Sequence, residues 1–283
     1  TAAEEGWIDI VSELVNKQVD INEDDDLGVT ALMFASEKGH APVVSVLLAN
    51  GADMSATDNN GEHAMMKAAK NGHIEVVKYF LDNGADVDMK DDQLEATILS
   101  EAAKHGHADM VSMLINQGAD VNVKDIIGSD PLMEAANNGH DTIVTMLLEN
   151  GADGVNNGGK YGFTPLMQSA KFPRTIAVLL GAGAKVNTQN AQDNGYTALM
   201  FAAIQCQAET VSMLMDNGAD ANIADTGDGG TALMFAASRG CLETVSTLID
   251  NGADVNTISK SGETALMSAA RQGSLETVSR LID

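Results

Sequence analysis

Asp25-Asp26-Leu27-Gly28-Val29-Thr30-Ala31-Leu32-Met33-Phe34-Ala35, continued by Gly39-His40, Val43-Val44, Leu47-Leu48 and Gly51-Ala52-Asp53, is one unit of a pattern that runs the length of this 283-residue chain. Its Thr-Ala-Leu-Met phrase returns, intact or varied, at His63 to Met66, Thr97 to Ser100, Asp130 to Met133, Thr164 to Met167, Thr197 to Met200, Thr231 to Met234 and Thr264 to Met267. The spacing is always 33 or 34 residues. A second phrase, Asn50-Gly51-Ala52-Asp53, keeps step with it at Asn83 to Asp86, Gln117 to Asp120, Asn150 to Asp153, Asn217 to Asp220 and Asn251 to Asp254. Two phrases in register over eight units define a repeat protein.

Each block has a physical role in a unit of finger, helix, turn and helix. The Thr30 hydroxyl suits a helix N-cap, and Pro131 and Pro165 suit the first helical turn, where no amide hydrogen is needed. Gly39 allows the chain to reverse between helices, and Gly51 suits the left-handed residue that ends the second. Val43, Val44, Leu47 and Leu48 fall on one stripe of that second helix. One unit cannot bury the stripe alone, so stacking of neighbours must do it.

A 33-residue period with this phrase resembles the ankyrin repeat, whose motif reads Thr-Pro-Leu-His-x-Ala. The resemblance implies an all-α solenoid of stacked helix-turn-helix units with short β-hairpin fingers. It divides residues 1–283 into one array: a partial repeat at 1–23, repeats at 24–57, 58–90, 91–124, 125–158, 159–191, 192–225 and 226–258, and a truncated repeat at 259–283. The ragged ends make a longer polypeptide the expectation. One departure is systematic. Met stands at seven of eight places, and Ser100 at the other, where the family has His. Apolar packing by a flexible side chain is therefore expected to replace a polar link between repeats.

The resemblance also implies that partners dock on finger tips and on the exposed side of first helices. The finger candidates are Leu27, Leu94, Ile126, Ile127, Tyr161, Phe163 and Tyr196, large apolar residues in loops that should be polar. The first-helix candidates are Phe34, Lys67, Phe201 and Phe235. Asn122, Asn222 and Asn256 resemble the asparagine that ankyrin-directed hydroxylases modify, each with Leu eight residues before it.

A net charge of -25 argues against duplex nucleic acid and anionic membrane surfaces, since phosphate contact needs clustered Lys and Arg. A neutral or basic protein surface is the favoured partner, with no nucleic acid and no membrane insertion, the array being monomeric or a subunit of a larger assembly. Cys206 and Cys241 occupy neighbouring turns of adjacent repeats. Packed helices lie about 8–10 Å apart, beyond the Cα separation a disulfide tolerates, so free thiols and an intracellular, cytoplasmic setting are expected.

Chemistry is harder to find. His40, His73, His107 and His140 recur one per repeat after Gly, so they cannot converge on one ion. The Asp-rich fingers lack the spacing and terminal Glu of a calcium loop, and turn formation explains them. Gly158-Gly159 and Gly227-Asp228-Gly229-Gly230 lack the strand-to-helix context of a phosphate loop. No nucleophile, base and orienting acid are identifiable, which leaves no catalytic residue, no metal site and no cofactor to name. The sixth repeat is irregular. Lys171-Phe172-Pro173-Arg174 replaces the Gly-His turn, a longer finger follows, and a local break in curvature near 165–196 is expected. The functional expectation is a non-catalytic scaffold or adaptor that binds another protein through groove and fingers. The alternatives are a cytoplasmic regulatory module of a larger enzyme or ion channel, or a structural subunit of a multiprotein complex.

Overall fold

The Thr-capped first helices and apolar-striped second helices form in pairs along the chain. In the computed structural model, which describes residues 1–283, they fall into two compact units. The first unit holds residues 1–138 and 149–152, and the second holds 139–148 and 153–283.

In the first unit, α1 (Ile8–Asn16) precedes the pairs α2 (Ala31–Glu37) with α3 (Ala41–Ala49), α4 (Ala64–Lys70) with α5 (Ile74–Asp82), and α6 (Ile98–Lys104) with α7 (Ala108–Asn116). First helix α8 (Pro131–Asn137) follows. First helices pack on first helices, α2 on α4, α4 on α6 and α6 on α8, while α1, α3 and α5 form a second layer. The second unit repeats the plan. It contains α9 (Asp141–Glu149) except its last residue, and α10 (Pro165–Gln168), α11 (Pro173–Gly181), α12 (Ala198–Ile204), α13 (Ala208–Asp216), α14 (Ala232–Arg239), α15 (Leu242–Asp250), α16 (Ala265–Gln272) and α17 (Leu275–Ile282).

The caps form as the residue types require. Thr30, Thr97, Thr164, Thr197, Thr231 and Thr264 each accept the amide of the residue three places on, and Asp130 and His63 take the same role. The Met that replaces the family's His is core: Met33, Met66, Met133, Met167, Met200 and Met234 are buried, and only Met267 in the last repeat is exposed. Burying such a side chain contributes about 1.5–3 kcal/mol. Val43, Val44 and Leu47 are buried on α3, with Leu48 half-buried at the edge.

The fingers are turns rather than extended strands, with single antiparallel bridges at Asp24 to Thr30, Thr57 to His63 and Lys90 to Thr97. Their aspartates are turn formers. The Asp25 carboxylate accepts the amides of Leu27 and Val29, each at 2.9 Å, and Asp125 accepts those of Ile127 and Ser129. Successive fingers are tied by their backbones: the Asn59 amide donates to the Leu27 carbonyl, Ile126 to Leu94 and Thr226 to Asn194. In the sixth repeat α10 is cut to four residues where α2, α4, α6, α8 and α12 have seven.

The turn between helices holds a device repeated along the stack. Gly39 sits at φ +76°, and a Cβ there would lie 2.5 Å from the His73 ring of the next repeat. Gly6 faces His40, Gly72 faces His107 and Gly139 faces Phe172 in the same way. The histidines also bridge repeats. His40 Nε2 lies 2.8 Å from the Glu4 carbonyl oxygen, His73 Nε2 2.9 Å from that of Glu37, and His107 Nε2 2.7 Å from that of Lys70.

Cys206 and Cys241 occupy this same pair of positions, Cys206 for the glycine and Cys241 for the histidine, and they are joined by a disulfide. The expectation of free thiols is thereby corrected. The helix spacing that excluded a bridge applies to helix axes, whereas the turns approach more closely, with 5.5 Å between these Cα atoms, inside the range a disulfide accepts.

Candidate functional site

The residues expected to meet a partner separate into three environments. Leu27, Leu94, Ile126 and Tyr161 stand exposed at finger tips, and Ile127 is half-buried beside its neighbour. Phe34, half-buried on α2, shares a cleft with Val11, Leu14, Val29 and Leu47 of the first unit.

Lys67 is not free to reach outward. It is 8% exposed, its Nζ lies 2.7 Å from Asp58 Oδ2 and 3.4 Å from Glu62 Oε2, and Lys70 continues the network to Glu62 and Glu101. Burial by itself would lower the lysine pKa, but the hydrogen bond and charge of Asp58, followed by Glu62, outweigh it and hold Lys67 above its ordinary value. Burial would likewise raise the Asp58 carboxyl, yet the bonds from Lys67 and the amides of Glu62 and Asn60 hold it below.

Four candidates come together in the second unit. The Phe163 and Phe201 rings lie 5.8 Å apart, Tyr196 meets Phe201 edge-on at 5.7 Å, and Tyr196 meets Phe235 edge-on at 5.3 Å. Fingers supply Phe163 and Tyr196, and the first helices α12 and α14 supply Phe201 and Phe235. Edge-to-face rings at these separations attract beyond their area of contact. All four stay half-exposed, so one edge of a continuous aromatic strip remains open to solvent. Burial, and next the charges of Asp225 and Asp193, push the Tyr196 phenol above its ordinary pKa.

The strip leads into a cleft of about 310 Å³ walled by Tyr196, Met234 and Phe235 and rimmed by Asp225, Asp228 and Glu263. The two aspartates also form turns, as expected of Asp-rich fingers: Asp225 accepts the amides of Gly229 and Gly230, and Asp228 accepts from Ser261. The signal for the cleft was the long glycine-rich finger at 225–230 beside an aromatic.

The asparagines have structural partners. The Asn222 side chain donates to the Gly252 carbonyl at 3.3 Å and accepts the Asp254 amide at 2.8 Å, tying two repeats together, and Asn122 donates to Gly151 at 3.1 Å. The Asn256 amide is held by Asp254. No group of three or more His, Cys, Asp or Glu is placed to share a metal ion, and no helix is long and apolar enough to cross a membrane.

The family model of ankyrin repeats in three copies matches residues 1–58, 51–125, 99–190, 132–225 and 199–283. Among solved structures, the fold is similar to the crystal structure of the human ASB11 ankyrin repeat domain, with a TM-score of 0.68 and 27% identity over 77% of this chain and 96% of that one. None of the curated proteins compared matches the chain. The repeat period, the paired helices and the match along the whole sequence agree: the chain belongs to the ankyrin-repeat family, whose repeats are protein–protein interaction modules.

Proposed function

We propose that this chain is a non-catalytic scaffold or adaptor, and that it docks a partner protein on the aromatic strip of its sixth to eighth repeats. The observation that carries the reading is the continuity of Phe163, Phe201, Tyr196 and Phe235 as one half-exposed surface. Aromatic side chains offer large contact area at low entropic cost and dominate binding energy where they cluster. The acidic rim of the adjoining cleft and the net charge of -25 favour a partner with a neutral or basic surface, which the field of the array would attract.

The exposed finger tips Leu27, Leu94 and Ile126 lie outside the set of ring contacts that forms the strip. The test compares proteins captured from native cells by the parent array and by a Tyr196→Ser, Phe235→Ser variant shown to keep its helical circular dichroism. Loss of a specific partner supports the strip. An unchanged set of partners removes it.

A further inference from the structure

The disulfide stands at the pair of positions where Gly6 and His40, Gly39 and His73, Gly72 and His107, and Gly139 and Phe172 rely on packing. In the Gly39–His73 and Gly72–His107 pairs the imidazole covers the space above the glycine, and its far nitrogen bonds a carbonyl of the preceding repeat. At Cys206 and Cys241 both the ring and that bond are absent, and a covalent link takes their place. Cys206 also holds a left-handed backbone, φ +57°, at a place where all the other repeats except the sixth use glycine, a conformation costly for a residue with a Cβ. Without the bond, this junction would keep the cost of the turn and lack the His strut.

The two sulfurs differ in access. Cys206 is exposed and Cys241 is 9% exposed. The bond ties the turn after α12, which carries Phe201, to the turn after α14, which carries Phe235.

We propose that Cys206–Cys241 is a reversible thiol–disulfide exchange site for small thiols of the glutathione class, and that its redox state sets how firmly the eighth repeat is held to the seventh. A glutathione thiolate attacks the exposed Cys206 sulfur, the Cys206–Cys241 bond breaks, and Cys241 leaves as a thiolate and takes a proton. A second glutathione thiolate attacks the mixed disulfide, giving glutathione disulfide and the Cys206 thiol. The protein gains two electrons and two protons, and two glutathiones are oxidised; glutathione disulfide reverses both steps. The consequence for binding rests on the aromatic strip being the docking surface. The exchange chemistry and the loosening do not.

The array alone therefore serves for the test. Thiols are counted by alkylation and intact mass after millimolar glutathione, and amide hydrogen exchange is followed with and without reductant. The expected result is release of two thiols from protein that keeps its circular dichroism, restoration by glutathione disulfide, and exchange across α12 to α15 faster by about tenfold or more on reduction, with α2 to α6 unchanged. A Cys206→Gly, Cys241→His variant, which rebuilds the pair of the other repeats, should exchange slowly with or without reductant. The proposal is overturned if thiols appear only on unfolding, if reduction leaves exchange unchanged, or if the double variant loosens with reductant as the parent does. A failure of partner capture would touch only the docking reading.

Discussion

Replacing His63 by Thr should make the array more resistant to mild acid. His63 caps α4 in place of the Thr used by most repeats, with Nδ1 accepting the Met66 amide at 3.1 Å. The ring is 1% exposed and its Nε2 has no hydrogen-bond partner, so a protonated imidazole would lose the cap and bury a charge. Burial lowers its pKa from 6.5 to about 4, with Asp91, Asp92 and Glu62 offsetting only part of the effect. The unfolded chain therefore takes up this proton at a higher pH than the folded one. The stability is fully present above the unfolded value of 6.5 and is lost as pH falls toward 4, because the unfolded state binds more protons across that window. At 1.36 kcal/mol for each pH unit of the gap, the whole loss is about 3 kcal/mol, of which about 2 kcal/mol falls between pH 7 and pH 5. Urea unfolding of parent and His63→Thr at those two pH values measures it. Carboxylates titrate in both proteins, so the difference between the two pH dependences isolates His63. Parallel pH dependences, agreeing to within about 0.5 kcal/mol, would refute the reasoning, since a Thr cap has no titrating group.

Other consequences follow from named contacts. Lys67→Met should destabilise by about 3 kcal/mol in urea unfolding, since it leaves the buried Asp58 carboxylate without its cation and held only by the amides of Asn60 and Glu62; a partner contact at Lys67 would instead weaken binding at unchanged stability. Gly39→Cys combined with His73→Cys should form a second disulfide by rebuilding the Cys206–Cys241 pair between the second and third repeats, read as the mass loss of two hydrogens in intact protein; persistent free thiols would show that the turns differ. The Tyr196 phenol should ionise above pH of about 10, measured as the difference in ultraviolet titration between the parent and Tyr196→Phe, and an ordinary transition would mean the ring is less buried than the strip requires.

Much of the fold was legible because a repeat states its rules many times. The Thr cap, the buried Met and the one-per-repeat histidines each recur at one register, and a single physical role explains the Thr caps, six of the seven Met and the His40, His73 and His107 bridges. What escaped were features set by one junction or one side chain. The Cys206–Cys241 bond was excluded by a helix-to-helix spacing, although the turns at Gly39 and His73 come close enough for ring contact. Lys67 occupies the register of Phe34, Phe201 and Phe235, and only the positions of Asp58 and Glu62 in the preceding finger turn it inward. The aromatic strip was half legible. Its four members were all named as candidates, but Phe163 and Tyr196 belong to fingers and Phe201 and Phe235 to helices, and periodicity alone does not join the two sets.

The most direct test of the docking surface is photo-crosslinking with benzoylphenylalanine at Phe235, on the strip, and at Leu242, exposed on the second helix of the same repeat. The account predicts partner adducts from position 235 and none from 242. Adducts from 242 with none from 235 would contradict it and place recognition on the opposite layer of the stack.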